Sequence, residues 1–207
     1  MEEKIIKILG LLDEQYGSEA ICYLNYTKDY ELLVATILAA QCTDERVNQV
    51  TAKLFVKYDS IEKFANADIS ELEQDIFQTG FYKNKAQSIK KACTQIINEY
   101  DKKMPNNIET LTKLTGVGRK TANVMLTHVF NQPSIVVDTH VKRISYRLGF
   151  TNQKDPTKIE FDLMKVLPKE NWSRYNGQVM ALGRTICKGQ KPKCEECYLG
   201  GYCEKNI

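Results

Sequence analysis

Residues 111–124 read Leu-Thr-Lys-Leu-Thr-Gly-Val-Gly-Arg-Lys-Thr-Ala-Asn-Val. Two short helical patterns, 108–114 after the cap Asn107 and a second from near Gly118 to about Phe130, flank the turn Gly116-Val117-Gly118. Glycine permits positive φ and leaves no side chain between the backbone and a partner. Successive amides in such a turn point outward and meet the positive end of the next helix, an arrangement suited to one phosphate. A lone Gly-x-Gly is weak evidence, because many turns between helices contain glycine. Between two short helices, and followed at once by Arg119-Lys120, it is a strong signal.

Outward from this stretch the chain reads as helix after helix. Ile5, Ile8, Leu9, Leu12 and Tyr16 repeat at helical spacing before Gly17. Asp29 opens an apolar stretch that ends near Gln41, and Thr43 caps a segment carrying Val47, Val50 and Leu54. Asp68 and Glu71 have capping-box spacing before Leu72 and Ile76, and residues 82–99 form a Lys-rich amphipathic helix. Asp138 caps a helix to Leu148, closed by Gly149. Asp155-Pro156 opens another that ends near Leu167, and a last one spans roughly 172–186. Ser134-Ile135-Val136-Val137 is the one strand-like run, too short to build a sheet. The expected class is all-α.

Composition narrows the function. The 207 residues, 43% apolar and 27% charged, suit one large domain or two small ones. No apolar run approaches the roughly 18 residues of a membrane span. Met1-Glu2-Glu3-Lys4 opens neither a signal nor a transit peptide, so the expected partner is not a membrane and the expected location is the cytoplasm. The net charge of +3 conceals a segregation: residues 1–110 carry −5, whereas 111–150 carry +5 with Asp138 as their single acid. A basic segment of this kind marks a polyanion-binding face or a solvated helix surface.

Lys120 and Asp138 each admit two readings. Lys120 can be a first-turn lysine touching phosphate. A cation at a helix N-terminus beside Arg119, however, opposes the dipole and a like charge, and both push its pKa down toward a nucleophilic neutral amine. Asp138 can be an N-cap, or a carboxylate that stabilises a sugar cation and moves protons. Four of the seven cysteines, Cys187, Cys194, Cys197 and Cys203, fall within 17 residues as C-x6-C-x2-C-x5-C. Four thiolates in one loop fit tetrahedral zinc or an iron–sulfur cube, and a single tight pair with wide outer ligands tilts toward the cube. Cys22, Cys42 and Cys93 read as buried thiols.

The hairpin, then Val137-Asp-Thr-His-Val-x-Arg143, then the cysteine tail, together resemble the endonuclease III family of helix–hairpin–helix DNA glycosylases, in order over nearly the whole chain. The resemblance implies a two-lobed helix–hairpin–helix fold with a C-terminal cluster loop at 187–203. It implies a continuous lobe at about 22–132, with the hairpin at about 108–130, and a second lobe joining 1–21 to 133–207, with DNA across the cleft between them. It further implies a monomer that excises oxidised pyrimidines from double-stranded DNA and nicks abasic sites by β-elimination, associated with the nucleoid. Lys120 would be the nucleophile, Asp138 its carboxylate partner, and the four cysteines the ligands of one [4Fe-4S] cluster.

Other positions acquire candidate DNA-binding roles from the same resemblance. Gln41 and Asp44 lie in Ala-Gln-Cys-Thr-Asp, where the glutamine would enter the stack vacated by an extruded nucleotide. Phe81 would wedge into the duplex, although by residue type alone Gln41 reads as a polar helix end and Phe81 as core. Gly116, Val117, Gly118, Arg119, Thr121, His140, Arg143, Arg184, Lys191 and Lys193 would face the phosphates, with Lys188 beside them. The sequence departs from the family's usual pattern at Thr115, where proline is common, and at Phe81, where leucine is common. It also lacks the histidine often found before Gly183-Arg184. Two rivals are a monofunctional relative, which typically lacks the lysine and carries a further C-terminal domain, and a non-catalytic DNA-binding module with structural zinc.

Overall fold

The structure, a computed structural model, describes residues 2–206. In chain order these form α1 (Glu2–Tyr16), α2 (Asp29–Leu38), α3 (Asp44–Lys57), α4 (Ile61–Asn66), α5 (Ile69–Asp75), α6 (Tyr82–Glu99), α7 (Ile108–Leu111), α8 (Arg119–His128), α9 (Thr139–Leu148), α10 (Pro156–Val166) and α11 (Trp172–Thr185). There is no strand among the described residues, so the all-α expectation holds. Two compact units divide the chain: Cys22–Phe130, and Met1–Ile21 together with Asn131–Ile207.

The continuous unit is built round α2. Tyr30, Leu32, Leu33, Val34, Ala35, Ile37 and Leu38 are all buried, as expected of a helix apolar on every side. It packs on α3, α6 and α8. Its N-terminus carries a buried carboxylate, Glu31, whose Oε2 accepts from the Thr27 amide (2.7 Å), the Thr27 hydroxyl (2.9 Å) and the Lys28 amide (3.2 Å). Three donors offset the desolvation of that group. The other helix starts follow local side-chain chemistry. Thr43, Ser60, Asp68 and Asn107 each accept the amide three residues on.

The discontinuous unit joins α1 to α9, α10 and α11 around Ile8, Leu12, Val141, Ile144, Leu163, Tyr175 and Val179. Each such buried side chain contributes about 1.5–3 kcal/mol. Asp138 and Asp155 cap α9 and α10 through the Val141 and Lys158 amides, and Gly149 ends α9 at φ 79°. The run 134–137 is extended and buried but pairs with no strand; the Asn176 amide satisfies the Val136 carbonyl (3.2 Å). Its β-branched residues reflect burial on all sides, not sheet formation.

Two expectations are corrected. The first hairpin helix stops at Leu111, not 114, because the Lys113 and Leu114 amides bond back three residues to Thr110 and Leu111, tightening the chain into the turn. Of the three scattered thiols only Cys93 is buried; Cys22 and Cys42 lie half-exposed near the unit's surface.

Candidate active site

The continuous unit supplies the hairpin. Gly116 has φ 80°, and a Cβ there would stand 2.6 Å from the Ser88 Cβ on α6, so both the turn and the packing beneath it require glycine. Gly118 is different. Its φ is −90°, which any residue adopts, and a Cβ would meet nothing within 4 Å. The space beside it is open. Thr115 is anchored to α6: its amide and hydroxyl both donate to Gln95 Oε1, at 2.8 and 2.9 Å. A proline could supply neither donor.

Among the described residues the amides of Gly116 and Gly118 have no acceptor, whereas the Val117 amide donates to the Leu114 carbonyl (3.1 Å) and its side chain is 6% exposed. Val117 therefore anchors the turn to the core, and the expected row of outward amides loses its middle member. Lys120 is the second residue of α8 and is exposed; Arg119 and Thr121 beside it are half-buried.

Two more segments of this unit present side chains outward. Gln41 is exposed with φ 53°, just past the end of α2, and Asp44 opens α3, half-buried. Phe81 is 63% exposed and left-handed (φ 49°), at the N-terminus of α6. Phe81 is not a core residue. A bulky side chain in that backbone region is uncommon and costs about 1–2 kcal/mol.

The discontinuous unit supplies Asp138. One oxygen, Oδ1, accepts the Val141 amide at 2.8 Å as the α9 cap; the other, Oδ2, makes no hydrogen bond among the described residues. The cap thus aims the carboxylate and leaves an oxygen available. His140 and Arg143 follow on α9, the Arg143 Nη2 lying 3.2 Å from His140 Nδ1. Arg143 is half-buried and donates to the Cys187 carbonyl (3.0 Å) and the Gly183 carbonyl (3.4 Å). It holds the end of α11 instead of presenting a free guanidinium. Gly183 is required there, since a Cβ would collide with His140. Arg184, Lys191 and Lys193 are exposed, with Lys193 paired to Glu196 at 3.0 Å.

Cys187, Cys194, Cys197 and Cys203 are free thiols that line one pocket of about 30 Å3 together with Arg147. Among the described residues no three His, Cys, Asp or Glu close to the spacing of a single metal ion. Four thiol donors lining one pocket suit a soft metal or an iron–sulfur group by their chemistry. Arg147, 7% exposed, donates to Cys187 Sγ (3.3 Å) and to the Lys188 and Gly189 carbonyls (2.7 and 3.0 Å). Arg147, Gln95 and Lys85 emerge only from the structure. For Arg147 the available signal was its position four residues after Arg143, on the same face of α9.

A profile of the HhH-GPD superfamily base excision DNA repair proteins matches residues 34–169. A relative from Synechocystis sp., an endonuclease III, is 46% identical over 203 residues, covering 98% of this chain and 92% of its own. The chain belongs to the endonuclease III family. Solved structures of a non-covalent endonuclease III–DNA complex and of a trapped endonuclease III–DNA covalent intermediate each superpose with TM-score 0.93 at 41% identity, over 99% of this chain and 96% of theirs. The expected helix–hairpin–helix fold of that family is thereby established for this chain. None of its described helices is long and apolar enough to cross a membrane.

Proposed function

We propose that this endonuclease III family member is a bifunctional DNA glycosylase and abasic-site lyase of base excision repair, acting on oxidised pyrimidines in duplex DNA. The observation that carries the reading is the exposed Lys120 amine in the first turn of α8, beside the open Gly118, in a family with a trapped covalent DNA intermediate among its solved structures. The amides of Gly116 and Gly118 bind a phosphate and bring the sugar to the amine. The Lys120 Nζ lone pair forms a bond to C1′ as the glycosidic bond breaks and the base leaves with that electron pair and a proton. Ring opening gives an imine. Loss of one C2′ proton forms the C2′–C3′ double bond and expels the 3′ phosphate; water then hydrolyses the imine and frees Lys120. The Asp138 oxygen not engaged in the cap accepts and returns protons and stabilises positive charge on the sugar.

Gln41 and Phe81 enter the duplex where the nucleotide leaves, and Asp44, Arg119, Thr121, Arg184, Lys191 and Lys193 line the DNA-facing surface. Cys187, Cys194, Cys197 and Cys203, which line one pocket, would hold one [4Fe-4S] cluster, as the family resemblance implies. When bound, it would supply a rigid core for the 187–203 loop. The protein works as a monomer wherever the genome lies. Borohydride reduction on a thymine-glycol duplex tests the chemistry: the native chain forms a stable adduct, and Lys120→Gln forms none. A full adduct yield from Lys120→Gln would refute the assignment. Iron assay distinguishes the cluster from zinc.

A further inference from the structure

Lys85 is a lysine buried to 5% exposure in the first turns of α6. Its Nζ donates to the Leu38 carbonyl and to the Thr79 carbonyl, each at 2.8 Å. Leu38 is the last residue of α2, three before Gln41, and Thr79 stands two before Phe81. One nitrogen therefore ties together the two segments that carry the exposed, left-handed Gln41 and Phe81. A second bridge joins the same neighbourhoods at the surface: Arg46, in the first turn of α3, donates from Nη1 to Gln78 Oε1 at 3.0 Å.

The lysine is held here at a cost. Burial lowers its pKa, the sign of an ammonium held against a desolvation penalty. An apolar side chain would avoid that penalty but leave the Leu38 and Thr79 carbonyls without this donor. What the ammonium adds is geometry. It closes an orphan carbonyl at the end of α2 and fixes that carbonyl's distance from the Thr79 carbonyl.

We propose that Lys85 is a positioning residue that sets the separation of Gln41 and Phe81, so that both enter the duplex in one step. This rests on reading those two residues as the intruding pair. Without the tie, each loop still carries its side chain, but the pair no longer matches the gap left by one nucleotide.

The test compares single-turnover strand cleavage at an abasic site in a duplex with cleavage at the same site in a single-stranded oligonucleotide, which requires no extrusion. Lys85→Met leaves the Leu38 and Thr79 carbonyls without this donor and is expected to melt below the native temperature, while the duplex-to-single-strand rate ratio, which cancels any loss common to both substrates, falls roughly 10- to 100-fold. Lys85→Arg, which keeps the donors, restores part of the ratio. Gln41→Ala and Phe81→Ala lower the same ratio, and Lys85→Met combined with Phe81→Ala loses less than the product of the two losses. If the two alanine variants lower the ratio but Lys85→Met does not, the positioning role is overturned and the intruding pair stands. If neither alanine variant moves the ratio, the intruding pair itself is wrong and the proposal goes with it. A Lys85→Met protein in which both rates fall together, leaving the ratio unchanged, would mark Lys85 as a stabilising staple and also overturn the proposal. Should Lys85→Met not fold at all, Lys85→Gln carries the same comparison.

Discussion

Asp138 places two tasks on one carboxylate, and its two oxygens separate them. Asparagine keeps a cap acceptor as good as aspartate's, whereas alanine keeps none. Asp138→Asn is therefore expected to melt close to the native protein while base release slows by about 10²- to 10⁴-fold. Asp138→Ala is expected to show the same chemical loss plus about 1 kcal/mol of destabilisation. Denaturant titration beside single-turnover excision separates the two. If Asp138→Ala slowed base release while Asp138→Asn did not, the cap would be the residue's main task. Residues of this kind were legible in the sequence because a cap and its target lie three positions apart. Lys85 and Arg147 were less so: each reaches a backbone carbonyl distant in the chain, Leu38 at 47 residues and Lys188 at 41, and only Arg147 carries a sequence signal, its spacing from Arg143.

At the scale of elements, the hairpin makes its two glycines unequal. Gly116→Ala must hold φ near 80° and push against Ser88, so a loss of about 1–3 kcal/mol is expected. Gly118→Ala has room and an ordinary φ, so its stability should match the native chain. Its methyl group would nevertheless stand where a phosphate approaches, and weaker duplex binding by fluorescence anisotropy is the expected outcome. Equal affinities for the two would remove Gly118 from the DNA-facing set. Thr115→Pro, a change toward the family's common residue, is expected to destabilise this chain by about 1 kcal/mol, because the Gln95 acceptor loses both donors. The helices themselves were legible from periodicity and caps. The run 134–137 was ambiguous by nature: β-branched residues suit a sheet and an extended buried segment alike, and only the absence of a paired neighbour decides.

At the scale of the whole molecule, the discontinuous unit is closed by a polar link between distant parts of the chain. Arg174 on α11 makes two bonds to Asp13 on α1, at 2.7 and 2.9 Å, and Gln178 donates to the same carboxylate (2.8 Å) and to the Gly17 carbonyl (2.6 Å). Burial alone would raise the Asp13 pKa; the hydrogen bonds from Arg174 and Gln178 and the Arg174 charge outweigh it and hold the carboxyl below 3.8. A carboxylate with a depressed folded pKa stabilises above its unfolded value, and that contribution disappears as pH falls through the folded one. Arg174→Met is therefore expected to lower the unfolding free energy more at pH 7 than at pH 3. An equal loss at both values would show that the pair acts through packing alone.

That closure also has a history in time. During synthesis α1, with Ile5, Ile8, Leu9 and Leu12 along one stripe, precedes its partner α11 by the entire Cys22–Phe130 unit. At ordinary ribosomal speeds the stripe waits about 10–30 s with nothing of its own to cover it. Docking of α1 is thus a late step, taken after the middle of the chain has been made.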